Sequence, residues 1–265
     1  MPGDAGEGVP SVLYDEEYFL NACEGYAEFI SSEGEYLSRR LAEALSVAGI
    51  APGMRVLDVG CGRGEILRHV HRLGARAFGL DYASVAVQMS RDLANSESGE
   101  AIGVYQSNAQ ALPLLDASFD RALLLDIVEH LYPQELDRAL AEVYRVLKPG
   151  GRIVVHTAPN VWYDHCAYPA VRWVRTLMGQ GAHYPKNPRA FLVPANVHVH
   201  VNEQSCLSLW RNLRRAGFKH MHVWLSSPPQ HRQENSAFRA LRKVLFGYPP
   251  FRWFFEREVF AVGEK

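Results

Sequence analysis

The sequence predicts an α/β protein with a doubly wound, mostly parallel sheet of seven strands, extended by a cap built from late insertions. Seven short apolar segments alternate with segments of helical periodicity, the arrangement expected of a parallel sheet covered on both faces. A glycine-rich turn follows the first apolar segment. Two later stretches rich in aromatic residues interrupt the alternation, and they predict the cap.

Each predicted element is defined by its hydrophobic spacing and by glycine or proline at its ends. The predicted strands cover residues 55–60, 77–81, 104–107, 122–125, 153–157, 219–225 and 258–262. The predicted helices cover residues 14–30, 33–47, 66–73, 85–94, 134–147 and 203–216. The resulting parts are N-terminal helices over a ligand site (1–50), a ligand-binding core (51–160), a cap insertion (161–202), a core helix and strand (203–225), a second cap insertion (226–257) and a closing strand (258–265).

The composition describes a chain with a large core and no strong overall charge. It has 265 residues, 48% of them hydrophobic, and a formal net charge of −1. That size suits one α/β domain with additions. The balanced charge argues against a general nucleic-acid binder, and neither a base-flipping motif nor a long basic stripe occurs in the sequence. No nucleic-acid partner is therefore expected.

The cysteines and the N-terminus predict a cytoplasmic protein. Cys23, Cys61, Cys166 and Cys206 are spaced neither as a zinc site nor as a disulfide framework, so reduced thiols are expected. Residues 1–11 are polar and rich in glycine and proline, unlike a signal peptide. No stretch reaches the roughly 20 apolar residues that span a bilayer.

The glycine-rich turn predicts a site for a nucleoside-containing ligand. Gly60, Gly62 and Gly64 follow a predicted strand and precede a predicted helix, where a ligand can approach the backbone and the helix N-terminus. Asp81 ends the next strand, and a carboxylate there can accept hydrogen bonds from both ribose hydroxyls. A turn that merely packs a helix on a strand is the simpler alternative.

A dinucleotide-binding dehydrogenase is the main functional rival. Its fingerprint, G-x-G-x-x-G/A, requires a small residue at the sixth position. Glu65 occupies that position here. A bulky carboxylate beside a pyrophosphate is unfavourable, which argues against this rival.

Further motifs lie at regular places along the core. They read V-L-D-V-G-C-G-R-G-E (56–65), G-L-D (79–81), N-A-Q-A-L-P (108–113), F-D (119–120), L-D-I-V-E-H-L (125–131) and L-K-P-G-G (147–151). Together they resemble the class I, Rossmann-like S-adenosylmethionine-dependent methyltransferases over residues 35–160, with weaker agreement over 200–225 and in the last strand. The resemblance is to the broad branch of quinone-pathway and natural-product enzymes.

This resemblance implies S-adenosylmethionine as cofactor and S-adenosylhomocysteine as its product. Asp58 would contact the amino group of the methionine part, directly or through water. Asp81 would bind the ribose, and Tyr82 would stack near the adenine. The further implied contacts are Gly60, Cys61 and Gly62 with the methionine part, Asn108 and Ala109 with the adenine edge, and Asp126 and Ile127 below the sulfonium.

The implied reaction is in-line transfer of methyl to O, N or C of an acceptor, for which the sequence predicts no metal. His130 is the first candidate for a general base and His165 the second, although Glu-His-Leu recurs in the family whatever the substrate. His198 and His200 alternate on an apparently extended segment and would share a face. That spacing suits a metal, but no third ligand is evident.

The two insertions and the N-terminal helices are expected to bind the acceptor. The candidate side chains are Tyr18, Tyr26, Trp162, Tyr163 and Tyr168, with Tyr14 also closing over the cofactor. Packing of these aromatic residues against the domain is the alternative for each of them.

Both insertions are basic. A solvated positive face is one reading of this charge. The other is an anionic small-molecule or lipid-linked acceptor, or peripheral contact with an anionic membrane through a basic amphipathic helix at 237–246. A non-catalytic cofactor-binding or partner-binding protein, or another use of the same cofactor, also fits the sequence, which leaves the oligomeric state open.

Overall fold

A computed structural model describes residues 8–23, 25–32, 35–97, 102–191, 193–226, 243–244 and 247–265. Its centre is a seven-stranded sheet in the order β3-β2-β1-β4-β5-β7-β6. Every pairing is parallel except those of β7, which is antiparallel to β5 and to β6. The strands are β1 (Arg55–Val59), β2 (Arg76–Asp81), β3 (Ile102–Gln106), β4 (Phe119–Leu125), β5 (Leu147–Thr157), β6 (Lys219–Ser226) and β7 (Glu258–Glu264).

Helices cover both faces of this sheet, which confirms the predicted doubly wound, mostly parallel α/β fold. On one face α2, α3 and α4 contact the strands, and on the other α5 and α8 do so. The helices are α1 (Tyr26–Ser31), α2 (Arg39–Ala48), α3 (Glu65–Arg72), α4 (Ser84–Ser96), α5 (Pro133–Val146), α6 (Tyr168–Leu177), α7 (Asn196–Val199), α8 (Cys206–Arg215) and α9 (Phe251–Phe255).

The central strand β4 shows why the apolar segments are continuous rather than alternating. Leu123 and Leu125 belong to the core under α2 and α3, whereas Ala122 and Leu124 belong to the core under α5 and α8. Both faces of the strand are therefore buried, as a parallel sheet requires. The chain reverses its direction of travel across the sheet at β1, which places a ligand-binding crevice at the carboxyl ends of β1 and β4.

The N-terminal part differs from the prediction of two long helices. Residues 14–30 form a π-helical turn (Tyr18–Ala22) followed by α1, because Gly25 between them adopts a left-handed backbone with φ 88°. The helix predicted for 33–47 begins only at Arg39. These breaks leave an irregular segment that lies over the sheet edge rather than one rigid helix.

The predicted face shared by His198 and His200 is wrong. Residues 196–199 form a helical turn, α7, so the side chains do not alternate as they would on a strand. His198 is exposed and His200 is buried. The predicted basic helix at 237–246 lies outside the described residues except at 243–244. No helix in the described part of the chain is long and apolar enough to cross a membrane.

Candidate cofactor and acceptor site

A cavity of about 1220 Å³ lies at the carboxyl ends of β1, β2 and β4. Its wall contains the glycine turn, the N-terminal segment from Gly8 to Cys23, the loop after β4 and the later half of the first insertion. The cofactor residues expected from the sequence all line it: Asp58, Gly60, Cys61, Gly62, Asp81, Tyr82, Asn108, Ala109, Asp126 and Ile127. The structure therefore brings these ten residues together around one space.

The glycine turn is shaped by a close approach and by backbone hydrogen bonds. Gly60 has φ 77°, and a Cβ atom there would lie 3.0 Å from Cδ1 of Ile127. The backbone amides of Gly60 and Cys61 both donate to the carbonyl of Leu80, at 2.7 and 3.0 Å. A side chain at Gly60 would thus meet both a strained backbone and a steric contact.

Asp81 connects the glycine turn to the end of β2. Its Oδ2 accepts a hydrogen bond from the Gly62 amide at 3.1 Å, and its Oδ1 accepts one from the Ala83 amide at 2.9 Å. Burial raises the pKa of this carboxyl, although the backbone donors oppose the shift. Asp81 is held in one orientation, with lone pairs left for a ligand's hydroxyl groups.

Asp58 is the second carboxyl of this half of the cavity. It is buried, and its burial together with Asp81 and Glu65 raises its pKa to about 8. Asp58 is therefore largely protonated at neutral pH. An ammonium group placed against it would restore its charge, because an opposite charge favours the ionised form.

Asp126 forms part of the cavity floor and is held by Arg40 and His156. Arg40 approaches its Oδ2 at 2.8 Å, and His156 Nδ1 lies 2.6 Å from its Oδ1. Burial alone would raise the pKa of Asp126, but Arg40 and His156 together bring it below its usual range. Its left-handed backbone, with φ 55°, turns the chain toward Ile127. Sequence reasoning missed Arg40, which occurs in an ordinary amphipathic helix.

Asn108 and Ala109, the residues expected at the adenine edge, line the cavity, but the side-chain oxygen of Asn108 is hydrogen-bonded within its own loop. The side-chain oxygen of Asn108 accepts a hydrogen bond from the Gln110 amide at 2.9 Å. This oxygen is the atom that would otherwise accept a hydrogen bond from an adenine amine. The hydroxyl of Tyr82 donates to the carbonyl of Val9 at 3.1 Å, so this ring fastens the N-terminal segment to the cavity.

Arg63 of the glycine turn also holds the N-terminal segment in place. It pairs with Glu65 at 2.9 Å and donates to the carbonyl of Phe19 at 2.6 Å. Glu65, which argued against a dinucleotide, is thus the partner of Arg63. The segment that this contact positions brings Tyr14 and Tyr18 into the cavity wall.

A second polar cluster lines the cavity around His130. His130 Nδ1 is 2.9 Å from the Tyr14 hydroxyl, and the His200 ring packs perpendicular to His130 with centroids 4.8 Å apart. Desolvation lowers the pKa of His130 to about 4 and that of His200 to about 3. Burial, reinforced by Asp126, raises the pKa of the neighbouring Glu129. His130 is neutral at physiological pH but would be a weak base.

The structure does not bring most of the predicted acceptor-binding aromatics to the cavity. Of these five residues only Tyr18 lines it. Tyr163 and Tyr168 are buried in a small separate core with Phe191 and Phe254. The Trp162 ring is tilted against the Phe254 ring, with the two centroids 5.8 Å apart. These three side chains pack within the insertion and do not line the cavity.

Tyr26 and His165 also lie outside the cavity wall. The Tyr26 ring packs under Arg63, whose guanidinium carbon is 5.6 Å from the ring centroid. His165 is exposed on a π-helical turn. A general base must reach the acceptor, so the geometry favours His130 over His165.

The cavity-lining part of the first insertion is its later half. Arg189 lines the cavity and pairs with Glu203, Nη2 to Oε2 at 2.7 Å. Arg257, from the end of the second insertion, lines it too and lies over the Tyr163 ring at 5.0 Å. The basic character of the insertions was the signal for these residues, but it did not identify which arginines face inward.

Comparisons with known proteins agree with this geometry. The profile of a family described as "Methyltransferase domain" matches residues 57–155. The ubiquinone biosynthesis O-methyltransferase of Xanthomonas axonopodis pv. citri is 32% identical over 166 residues, which are 62% of this chain and 63% of that protein. The chain spans less than two thirds of the length of the curated relatives it matches.

Solved structures share the fold at lower identity. An S-adenosylmethionine-dependent methyltransferase from Mesorhizobium loti is 19% identical, with a TM-score of 0.58 over 84% of this chain and 96% of that one. The [4+2]-cyclase SpnF is 21% identical, with a TM-score of 0.57 over 86% of this chain and 80% of that one.

The glycine turn, the aspartates at successive strand ends and the matched domain define a class. Residues 57–155 match the methyltransferase-domain family, the sheet has the Rossmann-like fold of the class I S-adenosylmethionine-dependent enzymes, and the cofactor of that class is S-adenosylmethionine. The family model covers residues 57–155, which run from β1 into β5, and the N-terminal segment, β6 and β7 lie outside it.

Proposed function

We propose that the protein transfers the methyl group of S-adenosylmethionine to an oxygen of a small-molecule or lipid-linked acceptor, releasing S-adenosylhomocysteine. The observation that carries this proposal is the single continuous cavity, which joins the cofactor residues to Glu129, His130 and His200. Bound together there, donor and acceptor would be held close and in line. Relatives named ubiquinone biosynthesis O-methyltransferase favour oxygen over nitrogen or carbon.

The chain's own residues would position the donor and exclude water. Asp81 would hold the ribose, Asp58 the amino group, and the glycine turn the methionine part. The N-terminal segment, fixed by Arg63, would cover the reacting atoms. When bound, the cofactor supplies a methyl group that is already activated for displacement.

An anionic group on the acceptor is supported by the two arginines of the cavity wall. Arg189 and Arg257 both line it on the side of the first insertion. Arg189 is already paired with Glu203, whereas the buried Nε of Arg257 has no hydrogen-bond partner among the described residues. Arg257 is therefore the stronger candidate to receive a carboxylate or phosphate.

Peripheral membrane contact is a separate proposal for a lipid-linked acceptor. Three large apolar side chains are exposed at α6 and the residue after it: Trp173 (65%), Leu177 (69%) and Met178 (55%). Arg172 and Arg175 lie beside them in the sequence. An apolar strip beside basic residues favours an anionic bilayer surface. Co-sedimentation with phosphatidylglycerol vesicles at low salt tests it, and absence of binding would refute the membrane contact without touching methyl transfer.

Calorimetric titration with S-adenosylmethionine and S-adenosylhomocysteine tests the central proposal. Binding of both is expected, followed by transfer of labelled methyl to members of a panel of hydroxylated aromatic acids. Failure to bind either cofactor form would refute the proposal. Cofactor binding without labelled product from any acceptor would favour a binding protein or another reaction, such as the cyclisation named for SpnF.

A further inference from the structure

Three metal-ligating side chains meet on the acceptor side of the cavity. Glu129, His130 and His200 each offer one donor atom, and these atoms lie within 4.8 Å of one another. All three residues line the cavity. Glu129 and His200 are buried, with 1 and 5% of their surface exposed, and His130 is half-buried.

Backbone hydrogen bonds hold the distant members of this cluster together. The carbonyl of Glu129 accepts from the amides of Val201 at 2.8 Å and Asn202 at 3.0 Å. The Asn202 side chain donates to the carbonyl of Leu131 at 2.9 Å. His200 is therefore fastened to the turn that carries Glu129 and His130.

Hydrogen bonds from neighbouring side chains orient two members of the cluster. The Glu129 carboxylate accepts from the Thr157 hydroxyl at 2.8 Å, which orients it. The His130 Nδ1 atom lies 2.9 Å from the Tyr14 hydroxyl, and the carbonyl of Val199 favours a donated ring N–H. An imidazole that donates one N–H to a carbonyl and presents the other nitrogen is the usual form of a metal-binding histidine.

His200 adds an observation that packing does not explain. Its Nδ1 is buried and has no hydrogen-bond partner among the described residues. Buried polar atoms are almost always satisfied, so such an atom calls for a reason. A cation in the cluster would give this nitrogen a partner.

We propose that Glu129, His130 and His200 form a binding site for a divalent first-row transition metal, zinc being the best fit, with an open position facing the cavity. Two imidazole nitrogens and one carboxylate oxygen are the donor set of catalytic zinc sites that keep the fourth position for water or substrate. Magnesium and calcium prefer oxygen ligands and fit this set poorly.

The geometry requires a small adjustment. Ligand atoms on a tetrahedral zinc lie roughly 3.3 Å apart, closer than the 4.8 Å limit of the cluster. Side-chain rotation of His130 away from the Tyr14 hydroxyl would close the set. Because the backbone around His200 is already fixed, the adjustment is confined to side chains.

The open position would take an oxygen of the acceptor, a role that rests on the proposed methyl transfer, whereas the metal site itself does not. A metal-bound hydroxyl ionises more readily. Its O–H bond breaks and the proton passes to solvent water. The oxygen lone pair forms the new bond to the methyl carbon, and the S–CH₃ bond breaks with its electron pair remaining on sulfur. This removes the need for His130 as a base.

Titration of the metal-free full chain with Zn²⁺ tests the site in the absence of cofactor and acceptor. One equivalent is expected to bind, with Co²⁺ in its place giving the visible d–d bands of a tetrahedral nitrogen and oxygen site. His200→Ala should weaken Zn²⁺ binding by about 100-fold or more, since even outer residues of such sites contribute 10–100-fold. Glu129→Gln should do the same.

His198→Ala is the matched control, because His198 is exposed and two residues away. It should bind Zn²⁺ like the unaltered protein. Circular dichroism and S-adenosylmethionine binding establish that each variant is folded. Absence of Zn²⁺ binding to the unaltered protein, equal binding by His200→Ala, or tighter binding of Mg²⁺ than Zn²⁺ would overturn the metal site. Cofactor binding that persists in any of those cases leaves the proposed methyl transfer standing.

Discussion

The two halves of the cavity are built in different ways. The cofactor half takes Asp58, Asp81 and Asp126 from the ends of three strands that are neighbours or near neighbours in one sheet. The acceptor half takes Glu129, His200 and Arg257 from segments that are far apart in the chain. The first half is therefore a consequence of the fold, whereas the second depends on contacts particular to this chain.

The two halves also differ in charge. The cofactor half contains carboxyls, of which Asp58 has a pKa raised by burial and Asp126 one lowered by Arg40 and His156. The acceptor half adds Arg189 and Arg257. A cationic donor and an anionic acceptor would each meet groups of opposite charge. If the halves are independent, substitutions in one should leave ligand binding in the other unchanged.

The largest expected effect comes from Asp81→Ala in the cofactor half. The change removes the hydrogen bonds from the Gly62 and Ala83 amides and, with them, the proposed contacts to the ribose. Hydrogen bonds to a charged group contribute about 1.5–3 kcal/mol each, so the loss of two should weaken S-adenosylmethionine binding by about 100-fold or more. Calorimetric titration measures it. Asp92→Ala, on the exposed face of α4, is the control and should bind normally. An unchanged dissociation constant for Asp81→Ala would contradict the assigned site.

The second effect belongs to the acceptor half. Arg257→Ala should raise KM for an anionic acceptor by about 10- to 100-fold, the value of one charged hydrogen bond, while kcat and cofactor binding stay nearly constant. Steady-state kinetics with the acceptor found in the panel measures this split. Arg172→Ala removes an arginine outside the cavity wall and should change neither constant. A fall in cofactor affinity for Arg257→Ala would show that the halves are coupled.

These two halves also differ in how far the sequence predicts them. Asp58 and Asp81 can be predicted from the sequence because Asp58 comes two residues before the glycine turn and Asp81 ends the next strand. His200 cannot, because its position depends on hydrogen bonds from residues 201 and 202 to Glu129, about seventy residues earlier. Tyr163 and Tyr168 lie in a small core, and the sequence does not reveal this because an aromatic cluster has the same composition whether it lines a pocket or forms a core.

The fold was predictable for a related reason. Each strand and helix of the core carries its own periodicity, and the strand order follows from the family. The N-terminal segment is an exception. The hydrophobic spacing predicts one helix there, but Gly25, with φ 88°, divides it into two shorter pieces. Irregular segments are held by individual contacts, such as the hydrogen bond from Arg63 to the carbonyl of Phe19, and such contacts produce no hydrophobic periodicity in the sequence.

A third prediction uses the ionisation of Asp58 in the cofactor half. Its pKa of about 8 means that it is mostly protonated at pH 7 before the cofactor is added. The ammonium group of S-adenosylmethionine should lower that pKa, so binding at pH 7 should release close to one proton. Calorimetry in buffers of different ionisation enthalpy counts it. The release should diminish as the pH rises above 8 and vanish in Asp58→Asn; an equal release from that variant would assign the proton elsewhere.

The smallest expected effect concerns Tyr14, which belongs to both halves. Its hydroxyl is hydrogen-bonded to His130 Nδ1 at 2.9 Å, the atom that the metal site would use. Tyr14→Phe removes this competitor and keeps the ring that packs against Tyr18 and Tyr82. Since a neutral hydrogen bond contributes about 0.5–1.5 kcal/mol, Zn²⁺ should bind roughly 2- to 10-fold more tightly, with cofactor affinity almost unchanged. Weaker Zn²⁺ binding would mean that Tyr14 orients His130 for the metal, and weaker cofactor binding would mean that the hydroxyl holds the N-terminal cover closed.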